Sequence, residues 1–310
     1  MKFSKWILPI ILGIVVYTIF LIISDISLII ENIQKIKLEF VVLAIIFVFM
    51  GLVIRAIRWN IMLQELEINI GLKSSMALYF CGTAFGLSPG RLGEVVKSHY
   101  LKRLANVPIK KTAPTIIVER FMDVFAILVI ALIAFFLIGI NHEAVYIGYI
   151  LLAGFLIIIY KKEILVKIIN KTKNFPLIGR VSDNISESID IIYHLLKPKI
   201  FFTTGLLSIL SWFIESFVIY FVLKSFDIDL SIIKSAYIFV ITSLIGSASF
   251  LPGGLATTEG SLVALFLFEG IPYNEAVGPI IIIRLITLFM TISFGILINR
   301  ITEMTILKGK

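Results

Sequence analysis

The sequence predicts an all-α, polytopic helical membrane protein with about six full spans plus two re-entrant broken-helix hairpins in an inverted repeat. Three observations predict it. First, 59% of the 310 residues are hydrophobic, mean hydropathy is +1.05, and only 15% are charged, against about a quarter in soluble domains. Second, several apolar runs reach about 18–25 residues, the length that crosses a hydrocarbon core. Third, two further apolar stretches are each interrupted near the middle by Pro-Gly.

The elements follow in order. Lys2 and Lys5 precede an apolar run from Trp6 to Ile23. The run is too long for a signal-peptide core and no small-residue cleavage site follows, so it reads as an uncleaved first span. Full spans are expected at 6–24, 40–57, 112–139, 145–160, 200–223 and 276–298. The stretches 74–104 and 235–270 are broken by "LSPGRLGE" at 87–94 and "LPGGLATTE" at 251–259. The arm 74–87 reaches only about 21 Å as a helix, short of a core of about 30 Å; the arm 91–104 has the same shortfall. Two short arms around a breaker read as a hairpin that enters the membrane and returns to the same side. Such backbone is tolerated only inside protein or beside a wet cavity.

Charge tests the topology. With both termini cytoplasmic, the inner segments hold 22 of the 28 basic residues, including Arg55, Arg58, Arg91 and Lys97. The outside holds four: Lys35, Lys37, Lys224 and Lys234. The chain is then a multi-pass protein of the cell membrane. Its net charge of +8 is a membrane-side asymmetry, and no nucleic acid is expected as partner. The single Cys81 excludes an internal disulfide and any Cys-based zinc cluster.

The chain reads as one integral membrane domain, 1–310, with a first half of about 1–139 and an inverted second half of about 145–299. Segment 161–199 is the one long polar stretch. Its second half, "ISESIDIIYHLLKPK", spaces Ile185, Ile189, Ile192 and Leu196 at helical intervals. An amphipathic helix on the cytoplasmic face is expected, touching anionic headgroups; a solvated linker is the alternative.

The two breaks have similar sequels. Arg120, in "IIVERFMDV", lies 31 residues beyond Pro89; Arg284, in "IIIRLITL", lies 32 beyond Pro252. Three full spans separate the hairpins, so the second unit should lie upside down. Inverted repeats with paired breaks point to a transporter with its site near the midplane.

A half-helix beginning after each break would present unpartnered N–H groups and a partial positive charge, a seat for phosphate or carboxylate. Pro89 and Pro252 set the breaks. Gly90, Gly93, Gly253 and Gly254 let a ligand or another backbone come close. Thr257 and Thr258 are placed to cap or to donate hydroxyls, and Arg91 adds a full charge. Helix packing through small residues, as at Gly82 and Gly86, is the alternative reading. The intramembrane ionisable set is Arg91, Glu94, Glu119, Arg120, Asp123, Glu215, Glu259 and Arg284; such residues are functional by default. Arg120 and Asp123 share a helix face, and Glu119 points elsewhere, toward the first hairpin. Structural ion pairs locking the halves together are the alternative. Glu215 stands alone on an apolar span, and His99 reads as a headgroup-level polar residue.

Enzyme signatures are missing. No HExxH or GxSxG occurs, and His99, His142 and His194 are far apart. "GGLATTEGS" resembles a phosphate loop but lacks the Walker A lysine. Segment 161–199 is too small to fold alone as a catalytic domain. No metal, cofactor or catalytic residue is expected.

"LSPGRLGEVVKSHYL", "VERFMDV" and "LPGGLATTEGSL" resemble the membrane domain of the lysylphosphatidylglycerol synthase family and the flippase-like proteins of uncharacterised protein family 0104. The resemblance covers essentially the whole chain. It places a Pro-Gly-Arg-x-Gly-Glu motif at Pro89, Gly90, Arg91, Gly93 and Glu94, a Glu-Arg pair at Glu119 and Arg120, and a Pro-Gly-Gly…Glu-Gly motif at Pro252, Gly253, Gly254, Glu259 and Gly260. Relatives often carry Gly where this chain has Ala256. In the two-domain synthases this region resembles a flippase, and a separate soluble domain makes the lipid; this chain shows no such domain, so synthase activity is not expected. Archaeal relatives joined to glycosyltransferases that act on polyprenyl phosphates widen the cargo that the resemblance implies. The expected function is translocation of an anionic phospholipid or a polyprenyl-phosphate-linked lipid between leaflets. The alternatives are an enzyme acting on a lipid headgroup, with Glu94, Glu119 or Glu259 as base, and a non-transporting partner of a glycosyltransferase or synthase docked through 161–199.

Overall fold

A computed structural model describes residues 36–139, 142–161, 163 and 185–304. All regular structure among them is helical. The expected first span at 6–24, Lys2 and Lys5, and most of 161–184 lie outside the described residues.

Ten helices follow in order among the described residues. They are α1 (Leu38–Glu65), α2 (Leu72–Thr83), α3 (Val96–Ala105), α4 (Ile109–Ile138), α5 (His142–Tyr160), α6 (Ile185–Leu195), α7 (Pro198–Ser225), α8 (Ile232–Ala248), α9 (Thr257–Phe268) and α10 (Tyr273–Thr302). Four are long and apolar enough to cross a membrane: α1, α4, α7 and α10. They coincide with the spans expected at 40–57, 112–139, 200–223 and 276–298, and α5 covers 145–160. The ends have local causes. Pro198 opens α7 at its first turn, where its missing N–H costs nothing. Gly139 closes α4 in the left-handed conformation, its N–H donating to the Phe135 carbonyl. In α10 the turn Leu285–Met290 widens to a π-helix directly after Arg284, a local irregularity frequent at functional sites.

The described chain carries one order of elements twice: a 28-residue helix (α1, α7), a short arm (α2, α8), a Pro-Gly break, a second arm (α3, α9) and a 30-residue helix (α4, α10). The turn after the first helix repeats bond for bond. Glu67 N–H donates to the Gln64 carbonyl as Asp227 does to Lys224, and Ile68 donates to Leu63 as Ile228 does to Leu223. Glu67 and Asp227 share left-handed backbone, at φ 61° and 59°. α1 packs against α7, and the two run antiparallel: the Lys37 N–H meets the Ser225 carbonyl at one end (3.1 Å), and Arg58 meets Ser208 at the other (2.6 Å). These two equivalent helices therefore point opposite ways. The short arms are exchanged, since α2 packs on the end of α10 and α8 packs on α4. Close approach needs small residues: a Cβ on Gly295 would stand 2.4 Å from the Ala84 nitrogen.

Both expected hairpins are broken, and the two arms of each pack together. The first break is wider than expected. Helix stops at Thr83, and 84–95 form turns and a 3-10 segment, Pro89–Val95, before α3 starts at Val96. The cause is local: Gly86, Pro89, Gly90 and Gly93 weaken α-helix here, and Arg91 is left-handed (φ 55°). In the second break Gly253, Gly254 and Ala256 are left-handed, at φ 61°, 65° and 70°.

α6 forms as expected, and protein covers part of its apolar face. Ile189, Ile192 and Leu195 are buried against the bundle, chiefly α4. Lys110 pairs with Glu187 at 2.8 Å and His194 lies 3.3 Å from Glu65.

Candidate functional site

Helical periodicity assembles a cluster of charge inside the bundle. α1 presents Arg55, Arg58 and Trp59 at i, i+3 and i+4, one face. α7 presents Ser208, Trp212 and Glu215, and α4 presents Glu119, Arg120 and Asp123. Glu94 at the end of the first break and Lys97 at the start of α3 complete it.

Arg58 is fully buried; its Nη1 donates to Asp123 at 2.7 Å and to Ser208 at 2.6 Å, and Nη2 lies 3.7 Å from Glu119. Lys97, also fully buried, donates to Glu119 at 2.7 Å and to Glu94 at 3.2 Å. Its ammonium sits over the rings of Tyr79 (4.8 Å) and Trp59 (5.3 Å), which attract cations electrostatically. Arg120 bridges Glu94 at 3.4 Å and Asp123 at 3.2 Å. Arg55 is ion-paired with Glu215 and lies 4.9 Å over Trp212, whose indole N–H donates to Asp123 at 3.2 Å. Desolvating each ion costs several kcal/mol. Four cations (Arg55, Arg58, Lys97, Arg120) facing four carboxylates (Glu94, Glu119, Asp123, Glu215) offset that cost within one neutral set.

The second unit keeps a smaller version. Arg284 Nε donates to Glu259 at 2.7 Å, and Nη2 donates to the Gly253 carbonyl at 2.8 Å. Glu259–Arg284 repeats Glu94–Arg120: in each unit a Glu near the start of the second arm holds an Arg on the following long helix.

The two breaks touch. A Cβ on Gly253 would come within 2.9 Å of Leu87 and 3.2 Å of Leu288. Leu255, Leu288 and Ile292 form a small apolar cluster of their own, with Leu87 and Phe289 against it. The junction thus joins both breaks and the π-turn.

Of the residues singled out from sequence, Glu94, Glu119, Arg120 and Asp123 come together, with Glu119 turned to the first hairpin as expected. Glu259, Arg284 and Gly253 form the second group. Arg91 lies near enough to Glu94 and Arg55 for its charge to act on both. It makes no ion pair and no side-chain hydrogen bond among the described residues. Pro89 and Gly90 open the 3-10 segment, and Pro252 opens the turn at Gly253 and Gly254.

Several expectations need correcting. Glu215 does not stand alone, because Arg55 meets it. The charge count places Arg55, Arg58 and Lys97 in cytoplasmic segments; all three are buried in the cluster, Arg55 and Arg58 because α1 continues as helix to Glu65 and turns them inward, and Lys97 because the first turn of α3 brings it to Glu94 and Glu119. Thr257 does not cap α9. Ala256 occupies the cap position without a side-chain bond, and the Thr257 hydroxyl lies 3.0 Å from the Gly254 carbonyl and 3.1 Å from Ser249. Space beside Gly93 is filled by Phe85 and Ser88, and beside Gly254 by Gly246 and Thr258; of the two readings, a ligand or another backbone, these two glycines meet the second, admitting the protein's own chain. The signals for the missed residues were the spacing of Arg55, Arg58 and Trp59, and Lys97 three places after Glu94.

A family model described as the lysylphosphatidylglycerol synthase TM region matches residues 10–295. The chain is 23% identical to a UPF0104 membrane protein of Methanothermobacter thermautotrophicus, over 93% of this chain and 92% of that one. A UPF0104 membrane protein of Methanocaldococcus jannaschii is 28% identical, over 72% and 95% respectively. One from Pyrococcus horikoshii is 26% identical, over 94% and 96%. No solved structure matches.

Proposed function

This chain belongs to the lysylphosphatidylglycerol synthase TM region family, and on that premise we propose that it moves a lipid with an anionic headgroup between membrane leaflets. The cargo is an anionic phospholipid or a polyprenyl-phosphate-linked lipid. Its phosphate lies beside Arg91 and the open edge of Arg120, whose side chain is 27% exposed, while its tails stay in the bilayer. In this reading the chain sits in the cell membrane with both termini cytoplasmic. The hairpins are re-entrant from opposite faces, and rocking of the two units exposes the junction to each side in turn.

One observation carries the reading: two helix breaks, from units that run opposite ways, touch beside Arg91, which makes no ion pair among the described residues. Arg284 is left out of this phosphate site, since its Nε is bonded to Glu259 and its Nη2 to the Gly253 carbonyl. An enzyme using Glu94, Glu119 or Glu259 as base is less well supported, because a cation already occupies the face of each that a substrate would need.

The test is leaflet exchange of a fluorescent lipid in vesicles carrying the purified protein. The protein should accelerate exchange. Arg91→Ala should slow it by about tenfold or more, the value of a charge-assisted contact, while Lys102→Ala, on the exposed end of α3, should not. Undiminished exchange in both Arg91→Ala and Arg120→Ala would overturn the assignment.

A further inference from the structure

The charge balance at the junction says more about the cargo than that it is anionic, and the argument rests on the lipid-binding reading above. The buried cluster is closed. Each of its four carboxylates touches one of its four cations, and Glu259 with Arg284 adds a further neutral pair. Among the described residues Arg91 is left over, so their balance at the junction is one positive charge. In low dielectric an unmatched charge of either sign is costly.

The backbone supports the same residue. Arg91 holds φ 55°, a left-handed conformation that a side chain disfavours and glycine accepts. Such a backbone outlier beside a helix break motivates a test of its side chain.

We propose that the junction takes a lipid headgroup bearing one net negative charge, a phosphodiester, and discriminates against diphosphate-linked and zwitterionic lipids. A phosphodiester cancels the Arg91 charge. A diphosphate leaves at least one negative charge unmatched beside Glu94. A zwitterion brings a second cation to a site already positive. Two lipid classes supply a phosphodiester: an acidic glycerophospholipid and a sugar on a polyprenyl monophosphate.

The test is competitive binding to the full chain in mild detergent, read by native mass spectrometry. The probes are phosphatidylglycerol, a polyprenyl-phosphate hexose, a polyprenyl-diphosphate hexose and phosphatidylcholine. One or both phosphodiesters should bind at least about tenfold more tightly than the other two, and which of them binds identifies the source. Arg91→Gln should erase the preference and Arg91→Lys should retain it, with the unfolding midpoint confirming that both variants are folded. Equal or tighter binding of the diphosphate, no binding of either phosphodiester, or an unchanged preference in Arg91→Gln would overturn the proposal. The outcome is separable from transport. A charge preference without leaflet exchange sinks the flippase and leaves the headgroup class; exchange without a charge preference does the reverse.

Discussion

The guanidinium of Arg55 lies against the carboxylate of Glu215, and the two residues occupy equivalent places in the two units. α1 and α7 start 160 residues apart, at Leu38 and Pro198, and the same interval separates Arg55 from Glu215. Because the helices run antiparallel, equivalent positions face each other only near the centre of their contact. Gly51 shares that neighbourhood, where a Cβ would stand 3.1 Å from the Ser211 carbonyl. The pair therefore sits close to the axis relating the units, with one partner turned from acid to base.

Removing one partner leaves a buried charge alone. Arg55→Met or Glu215→Gln should each cost about 3–5 kcal/mol. The combination Arg55→Met with Glu215→Leu should recover most of that, since apolar pairs replace buried ion pairs at little cost. Thermal unfolding of the single and double variants in detergent gives the coupling. Additive losses would show that the two side chains do not depend on each other.

How much of this was legible depended on what each signal measures. Long apolar runs report burial in lipid or protein, so α1, α4, α7 and α10 were readable. Pro89 and Pro252 break helices whatever surrounds them, so both breaks were readable too. Arg55 and Arg58 were not. Counting basic residues near span ends assigns sides but says nothing about helix rotation, and α1 extends eight residues past the expected end at 57. Lys97 was lost in the same way: its type suggested a cytoplasmic arm, while its place one turn after Glu94 pointed inward. The partner of Glu215 was invisible because it lies in the other unit, and the interval that reveals it is read from helix boundaries.

Lys97 neutralises two carboxylates at once, Glu119 at 2.7 Å and Glu94 at 3.2 Å. Lys97→Met keeps the length of the stem and removes the charge, and should cost about 3–5 kcal/mol. Adding Glu119→Gln should restore part of the loss, whereas adding a distant Glu275→Gln should restore none. The stem also runs over Gly82, where a Cβ would come within 2.9 Å. Gly82→Ala should therefore destabilise by about 1–3 kcal/mol through overpacking. Unfolding midpoints across these variants check both statements.

The placement of α6 makes a separate prediction. Ile192 is 1% exposed, so Ile192→Ala should cost about 2–5 kcal/mol, as for other buried aliphatics. The exposed Lys110–Glu187 pair should be worth no more than about 1 kcal/mol. Hydrogen exchange localises the effect: Ile192→Ala should raise exchange in α6 and the start of α4, and Lys110→Ala should barely change it. Loss of protection confined to α6 would mean that the helix is not part of the packed bundle.

Ala256 tests the entry to α9. It holds φ 70°, ψ −45° at the cap position with no side-chain bond to satisfy the first turn. A left-handed backbone costs an L-residue about 1–2 kcal/mol, and glycine escapes that penalty. Glycine also loses more chain entropy on folding, which returns part of the gain. The net expectation is that Ala256→Gly stabilises by about 1 kcal/mol and Ala256→Val destabilises, since a β-branched side chain is harder to hold at positive φ. The unfolding midpoint should rise for glycine and fall for valine. A fall for both would mean that the Ala256 methyl packs well enough to outweigh its backbone strain.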